Sequence, residues 1–171
     1  MRVLTIDPGT NCGWAYRDGE GRPDGGVQVF DLMRGESPGM RFVRFNVWLR
    51  RFAIGPGDLV LFEQPPYLKS GAAVDLLVGM TTRIAEFAAE RGAEHKAVGA
   101  STLKKHVGGK GNASPDTMRA AVGKWLDGGK PLAMLSFDEI IALALLAWYD
   151  AGMPEPARKP RKKRQLDKVE V

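Results

Sequence analysis

The chain begins with an apolar run that ends in an acid, Val3-Leu4-Thr5-Ile6-Asp7-Pro8-Gly9-Thr10. Four aliphatic or β-branched residues in a row predict a buried strand, and the Pro-Gly pair after the acid predicts a turn. A second apolar run also ends in an acid, Leu59-Val60-Leu61-Phe62-Glu63-Gln64-Pro65-Pro66. Two strands that each end in an acid would place Asp7 and Glu63 at one edge of a sheet.

A third acid, Asp138, opens an apolar helical stretch that runs from Ser136 to Trp148. Acids from separate segments that converge in space suit hard cations such as Mg²⁺, which take oxygen ligands and keep several waters. Each acid also has a structural interpretation, because Asp7 before Pro-Gly is a common turn former and Asp138 complements a helix macrodipole. Three acids in this arrangement favour a site.

The order of apolar and turn-forming segments predicts an α/β fold with a mixed sheet and helices on its faces. The first three strands are expected to form an antiparallel start. Ser114 followed by Pro115 predicts an N-cap and a first-turn proline, so Asp116 is a first-turn acid that we do not assign to a metal site. The predicted strands are 2–6, 13–16, 26–30, 59–62 and 94–98, and the predicted helices are 38–52, 71–91, 115–126 and 137–151.

Two of these helices carry apolar residues with different expected roles. In the helix 38–52 the apolar residues are expected to face the core, and they are Phe42, Phe45, Val47, Leu49 and Phe52. The helix 71–91 and the loop before it carry an apolar stripe, which is either ordinary core or larger than one core needs. The stripe is formed by Tyr67, Leu68, Val74, Leu77, Val78 and Met80.

The chain has 171 residues, of which 44% are apolar, and this is enough for one good core. We expect one domain over 1–152, followed over 153–171 by a flexible Pro-rich linker and a basic tail. Residues 158–171 hold seven Lys or Arg and two acids, and removing these from the 25 and 20 of the whole chain leaves 18 of each in 1–157. The tail is expected to attract nucleic acid in a salt-dependent, sequence-independent way, or else only to solubilise the protein.

The sequence also predicts a cytoplasmic location without a membrane partner. No apolar run approaches the length of a membrane span, and the chain starts with a strand in place of a signal sequence. Cys12 is the single cysteine, so no intramolecular disulfide can form, and Cys12 is expected to serve packing.

Five sequence blocks together resemble the RuvC-like Holliday junction resolvases of bacteria and their phages, within the ribonuclease H-like superfamily. The blocks occur in the family's order and at similar spacings across residues 1 to 150. They are Asp7-Pro8-Gly9-Thr10 with Gly13-Trp14-Ala15, then Phe62-Glu63-Gln64-Pro65, Ser101-Thr102-Leu103-Lys104-Lys105, Gly109-Lys110-Gly111-Asn112-Ala113-Ser114, and Asp138 with Ala142-Leu143-Ala144-Leu145. The resemblance implies a ribonuclease H-like mixed five-stranded sheet flanked by helices.

The resemblance further implies metal-dependent cleavage of four-way DNA junctions, with Mg²⁺ as cofactor and Mn²⁺ able to substitute. Asp7, Glu63 and Asp138 would be metal ligands, and Lys104 would lie near the scissile phosphate. In the expected two-metal mechanism one ion activates a water and the other stabilises the leaving oxygen. A homodimer, joined largely through the helix 71–91, would present the two identical sites that symmetric cuts in two strands require.

The chain departs from the family pattern at the fourth acid. The family usually has Asp-x-x-Asp-Ala-Leu-Ala, whereas Ile141 stands where the second of these acids is expected. Glu139 is the nearest substitute, although its helix position is rotated by about 100° from Asp138. Either three acids suffice or a ligand comes from elsewhere. A second departure is Pro115-Asp116, where the family often carries another lysine.

Contacts to nucleic acid are expected from two loops. The segment Gly108-Gly109-Lys110-Gly111-Asn112 resembles a phosphate-cradling loop, because its glycines allow close backbone approach and Lys110 adds charge. Its spacing differs from that of a P-loop, so no nucleotide cofactor is expected. Tyr67 and Lys69 occupy a loop from which an aromatic could wedge into a branch point, and Lys105 would add a backbone contact beside Lys104.

Two other functions remain open at this stage. The replacement of an acid by Ile141 favours a catalytically weak or inactive branched-DNA-binding module of the same fold. A related nuclease acting on flaps, forks or RNA is the second alternative, because stacking and backbone contacts do not by themselves select a four-way junction. Metal-dependent cleavage separates the first alternative from a resolvase, and a panel of substrates separates the second.

Overall fold

The computed structural model describes residues 1–65, 71–126 and 132–154. They contain a five-stranded sheet in the order β3-β2-β1-β4-β5, in which β2 runs antiparallel to β1 and β3 while β4 and β5 run parallel to β1. The strands are β1 (Arg2–Asp7), β2 (Asn11–Asp18), β3 (Asp24–Val29), β4 (Leu59–Glu63) and β5 (Glu94–Val98). The predicted mixed sheet with an antiparallel start is therefore confirmed.

Five helices cover the two faces of this sheet. They are α1 (Gly39–Leu49), α2 (Ala72–Glu90), α3 (Ala100–Gly108), α4 (Pro115–Leu126) and α5 (Phe137–Asp150). Helices α1 and α2 pack on one face, where Leu4 and Val60 contribute to the core, and the other three helices pack on the opposite face against Val3 and Leu61. Because successive strand residues point to opposite faces, β1 and β4 must be apolar along almost their whole length, as their sequences are.

Two serines cap helices at the positions that matter for this arrangement. The backbone N–H of Thr117 donates to Ser114 Oγ at 3.2 Å, so the predicted N-cap before Pro115 is confirmed. Ser136 Oγ accepts from the backbone N–H of Glu139 at 3.1 Å and so caps α5, whose first residue is Phe137, next to Asp138. Both helix starts are therefore determined by local sequence.

Three features differ from the sequence-based expectations. Helix α3 was not predicted, because its only fully buried side chain is Leu103 and it gives no extended apolar stripe. Val47 was expected in the core but is exposed, and Trp48 is buried in its place. Met80 is fully buried in the core between α2 and the sheet, whereas Val78 of the same stripe is exposed.

The side chain and the backbone carbonyl of buried Asp58 together join the starts of the three parallel strands. Asp58 accepts hydrogen bonds from the backbone N–H groups of Arg2 at 2.7 Å and Gly55 at 2.9 Å, and its carbonyl accepts from Glu94 N–H at 3.0 Å. We expect Asp58→Ala to lower the free energy of unfolding by about 2 to 3 kcal/mol, because two backbone donors lose their acceptor. Urea denaturation measures this loss.

Asp18 supplies the control, because its exposed carboxylate only faces Arg2 Nε across 3.6 Å. Asp18→Ala should change the free energy of unfolding by less than about 1 kcal/mol. Equal losses in the two variants would show that the hydrogen bonds of Asp58 do not stabilise the sheet.

Some expectations concern parts of the chain outside the described residues. These are the loop residues Tyr67, Leu68 and Lys69 and the tail over 155–171. The domain boundary at residue 152 therefore stays a prediction. Among the described helices, none is both long and apolar enough to cross a membrane.

Candidate active site

Asp7 and Glu63 meet at one edge of the sheet, as the sequence predicts. In the parallel pair β1 and β4, Ile6 lies opposite Phe62, and the two acids are the next residue in each strand. Their side chains share a hydrogen bond, and both are partly buried. Because the carboxyl ends of neighbouring parallel strands lie at the same edge, this contact follows directly from the register.

Helix α5 brings Asp138 to the same edge through a close approach to β2. Gly13 lies opposite Asp7 in the β1–β2 register, and a Cβ at Gly13 would stand well under 3.0 Å from the carbonyl group of Asp138. Thr5 Oγ1 donates to the carbonyl of Ala142 at 2.7 Å and so holds the next turn of α5 against β1. The first turn of α5 can reach Asp7 only because residue 13 has no side chain.

Ionisation of Asp7 is opposed by its burial and by the two neighbouring carboxyl groups. Burial, together with the charges of Glu63 and Asp138 and the hydrogen bond that protonated Asp7 donates to Glu63, raises the pKa of Asp7 to about 8. Burial likewise raises the pKa of Glu63 and that of Asp138. The three acids therefore lie in surroundings that oppose their ionisation, and a bound cation would favour the ionised form of all three groups.

The residues at this edge fit a divalent cation by their chemistry. As the side chains stand, the described residues contain no group of three or more His, Cys, Asp or Glu close enough to hold one metal ion. Asp7 and Glu63 are in contact as a pair, and Asp138 acts on Asp7 through its charge. All three supply hard oxygen donors, which are the ligands that Mg²⁺ and Mn²⁺ prefer.

Lys104 is placed beside the acids by helix α3, which the sequence did not predict. Its charge acts on Glu63 and lowers the pKa of that group, against the larger effect of burial. The chain passes from β5 into α3 at Gly99, and Gln64 N–H donates to Val98 O at 2.8 Å, which fixes this crossing next to Glu63. Lys105, on the next position of α3, is exposed.

The glycine-rich loop lies against the start of α3. Gly109 ends α3 with a φ of +77°, a conformation that favours glycine, and Gly111 approaches Ser101 in the first turn. Lys110 and Asn112 on this loop are exposed. The loop therefore places Lys110 and Asn112, the two predicted contacts to DNA phosphate, directly after the helix that carries Lys104.

The two residues near the missing fourth acid are both buried. Ile141 belongs to the apolar core between α5 and the sheet, with neighbours that include Val3 and Leu61. Glu139 is buried at the start of α5. Cys12 is also buried next to the acids; burial and the charge of Asp7 raise the pKa of its thiol, which is consistent with a packing role.

Two residues that position the site were not assigned a role from the sequence. These are Gly13, which admits the first turn of α5, and Thr5, which anchors its second. A glycine inside a strand is a usable signal, because it often marks a close backbone approach. Thr5 carries no such signal, since threonine is common in strands. Tyr67 and Lys69 lie outside the described residues, so their predicted contacts stay predictions.

The strand order, the helices on both faces and the acidic edge define an α/β domain of the ribonuclease H-like class. No protein-family model and no curated protein sequence matches the chain. The fold is similar to a structure of Thermus thermophilus RuvC, with 21% sequence identity and a TM-score of 0.65, over 91% of this chain and 99% of that chain.

A second structure, T. thermophilus RuvC in complex with a Holliday junction substrate, is similar with 22% identity and a TM-score of 0.70 over the same shares of both chains. These likenesses show that the chain has a RuvC-like fold, as its sequence blocks predicted.

Proposed function

We propose that this protein is a metal-dependent endonuclease that resolves four-way DNA junctions by paired, symmetric cleavage. The observation that carries the proposal is the hydrogen-bonded pair Asp7 and Glu63 at the sheet edge, with Asp138 close enough to raise the pKa of Asp7. Ordinary surface carboxylates repel and separate. Partly buried acids that are held together across three elements are characteristic of a site that neutralises them with a bound ligand.

The proposed cofactor is Mg²⁺, held by Asp7, Glu63 and Asp138, with Mn²⁺ able to substitute. A bound divalent ion would polarise the phosphodiester and lower the pKa of an attacking water. Within the chain, Lys104 beside Glu63 is suited to bind the scissile phosphate and to balance the charge of the acids. Glu139, which is buried at the start of α5, is the proposed substitute for the missing fourth acid.

The proposed substrate is branched DNA. One of the similar structures is a RuvC bound to a Holliday junction, and the present chain shares that fold. Lys105, Lys110 and Asn112 are exposed near the acidic edge and are suited to contact the DNA backbone. Tyr67, Lys69 and the basic tail would add contacts from outside the described residues.

The proposed assembly is a homodimer formed through α2. Val78 is exposed and Val74 and Leu77 are half-buried on the outer side of this helix, whereas Ile84 and Phe87 face the core. A two-fold pairing of these residues would bury the apolar stripe and present two identical acidic edges, which symmetric cleavage requires.

A cleavage assay on synthetic four-way junctions tests the proposal. Matched linear duplex, flap, fork and single-stranded RNA serve as competing substrates, each in Mg²⁺, in Mn²⁺ and in EDTA. We expect paired symmetric nicks near the branch point only with a divalent ion, and their loss by at least about 100-fold in Glu63→Gln. Glu94→Gln, an exposed acid at the opposite end of the parallel strands, is the control that should cleave normally.

Other outcomes of this assay would replace the proposal. Tight junction binding without cleavage in either metal would leave a branched-DNA-binding module, which the burial of Ile141 at the fourth-acid position favours. Cleavage of flaps, forks or RNA in preference to junctions would identify a related nuclease.

The exposed Lys110 gives a separate prediction about DNA affinity. We expect Lys110→Ala to weaken binding to junctions of any sequence and to reduce the slope of log affinity against log salt by about 1, because one phosphate contact is lost. Lys124→Ala is the matched control. Lys124 is exposed in the last turn of α4, next to Trp125, whose indole N–H contacts Asp150 at the far end of α5. Equal salt slopes in both variants would exclude the Lys110 contact.

A further inference from the structure

An open apolar groove lies between helix α1 and the outer edge of strand β3. Three valines there expose about half of their surface, Val29 with 47%, Val43 with 53% and Val47 with 55%. The groove has a volume of about 270 Å³, and Arg44 and Arg51 stand at its rim. Contiguous aliphatic residues bordered by arginine are typical of binding surfaces.

Helix α1 is apolar on two sides, which a helix with one covered face does not need. Its inner side packs Phe45, Trp48 and Leu49 into the core. Val43 and Val47 lie one helical turn apart on the outer side and continue to Arg51 a further turn along. A second apolar side on a short helix indicates that something covers it.

The strand beside this groove offers a free backbone edge. Among the described residues β3 pairs only with β2, and its sequence from Asp24 to Val29 contains neither lysine nor proline, which commonly protect edge strands. An edge strand next to a helix is a geometry that accepts an added peptide strand, whose backbone pairs with the edge while alternate side chains pack on the helix.

We propose that residues 165–171 of this chain occupy the groove as an added strand along β3. This segment reads Gln-Leu-Asp-Lys-Val-Glu-Val and contains every leucine and valine of 155–171 and two of its three acids. Arg44 is already bound to Glu36 and to the carbonyl of Asp31. Arg51 has no ion pair among the described residues and is the cation that receives Asp167.

The spacing of the two partners matches. In a strand, Asp167, Val169 and Val171 lie on one side at intervals of about 6.6 Å. On helix α1, Val43 and Val47 lie about 6.0 Å apart along the axis, one turn apart. Arg51 lies four residues further along the chain, in the turn that follows the helix. If the segment runs antiparallel to helix α1, Asp167 lies against Arg51. Val169 then lies against Val47, and Val171 lies against Val43.

The length of the chain allows this contact. The described part ends at Pro154, whose carbonyl accepts from Trp148 Nε1 at 3.2 Å at the end of α5. Residues 155–166 can extend to about 40 Å, which exceeds the length of the 14-residue helix α5, about 21 Å. The segment would bind to the groove of its own chain or to that of a second copy.

Hydrogen exchange of the β3 amides in the full-length chain tests this contact. We expect Val47→Asp in the groove and Val169→Asp in the segment each to speed exchange at the outer edge of β3 by about tenfold or more. Met134→Asp is the control, because it adds an acid at another exposed apolar residue. Exchange that slows with rising protein concentration assigns the segment to a second copy, and concentration-independent exchange assigns it to the same chain.

A charge exchange separates a direct contact from a local disturbance of the fold. Arg51→Glu should speed exchange as Val47→Asp does, and Arg51→Glu combined with Asp167→Lys should restore the protection. If β3 exchanges equally fast in the unmodified chain, in Val169→Asp and in Val47→Asp, the proposal is wrong. Failure of the charge exchange to restore protection would likewise overturn it, whatever the outcome of the cleavage assay.

Discussion

Replacement of Asp7 by asparagine is expected to abolish cleavage and, at the same time, to make the metal-free protein more stable. The loss of cleavage should reach at least about 1,000-fold, because the proposed cation would lose the ligand that lies between Glu63 and Asp138. The gain in stability follows from the same position, where burial and two neighbouring carboxylates oppose the charge of Asp7. The asparagine amide has nearly the same shape as the aspartate carboxylate but carries no charge, so the unfavourable interactions are removed.

The gain in stability has a defined pH dependence. The pKa of Asp7 is about 8 in the folded protein and 3.8 in a free side chain, so the folded state holds a proton that the unfolded state releases between these values. The stability of the unmodified protein must therefore fall as the pH rises through this window, by at most about 1.4 kcal/mol per pH unit. Since the edge is partly open to water, we expect the free energy of unfolding of Asp7→Asn to exceed that of the unmodified protein by about 3 kcal/mol at pH 8. The two values should differ little near pH 4.

Thermal unfolding without metal, measured from pH 4 to pH 8, checks this dependence. A difference of about 3 kcal/mol corresponds to a rise in Tm of roughly 6 to 12 °C for a chain of this size. Millimolar Mg²⁺ should raise the Tm of the unmodified protein and leave that of Asp7→Asn unchanged. Glu94→Gln, at an exposed acid at the opposite end of the parallel strands, should show neither effect. A variant that is less stable than the unmodified protein at pH 8 would exclude repulsion among these acids.

The second large effect is expected at Gly13. An alanine there would place its Cβ well under 3.0 Å from the Asp138 carbonyl and 2.8 Å from Glu139 N, all of them backbone atoms that cannot rotate away. Helix α5 would have to move off strand β2, and we expect Gly13→Ala to cost about 3 kcal/mol or more of unfolding free energy. Because Asp138 moves with the helix, cleavage should fall by at least about 100-fold at temperatures where the variant is still folded.

Chemical denaturation and cleavage at low temperature separate the two consequences of Gly13→Ala. Gly55→Ala is the control, because a Cβ at Gly55 meets no atom within 4 Å and the variant should be as stable as the unmodified protein or slightly more so. If Gly13→Ala kept full stability and full cleavage, the close packing of α5 on β2 would not position the site.

The secondary structure could be predicted where one physical signal dominated. Strands β1 and β4 are buried on both faces, so their sequences are continuous apolar runs, and the first polar residue at the end of each run is the acid. Helices α4 and α5 carry serine caps at their starts, which local sequence specifies. Helix α3 lacked such signals, since a single buried residue, Leu103, holds it in place through tertiary packing.

The exposure of individual residues could not be predicted from periodicity. Val47 and Trp48 are neighbours on α1, and both are apolar, yet only Trp48 packs among Phe30, Phe45 and Phe52. Which of two adjacent apolar positions faces the core depends on the rotation of the helix about its axis. Packing against the sheet sets that rotation, and the local sequence does not specify it.

The sequence by itself determined the acids and the ends of the strands that carry them, because a carboxylate after a buried apolar run must lie at an edge of a sheet. Only the tertiary structure decided that these acids meet. The parallel register aligns Asp7 with Glu63, Gly13 admits the backbone of α5 beside them, and the crossing from β5 into α3 brings Lys104 to the same edge. Each of these contacts joins segments far apart in the chain, and their distances depend on packing that no local pattern encodes.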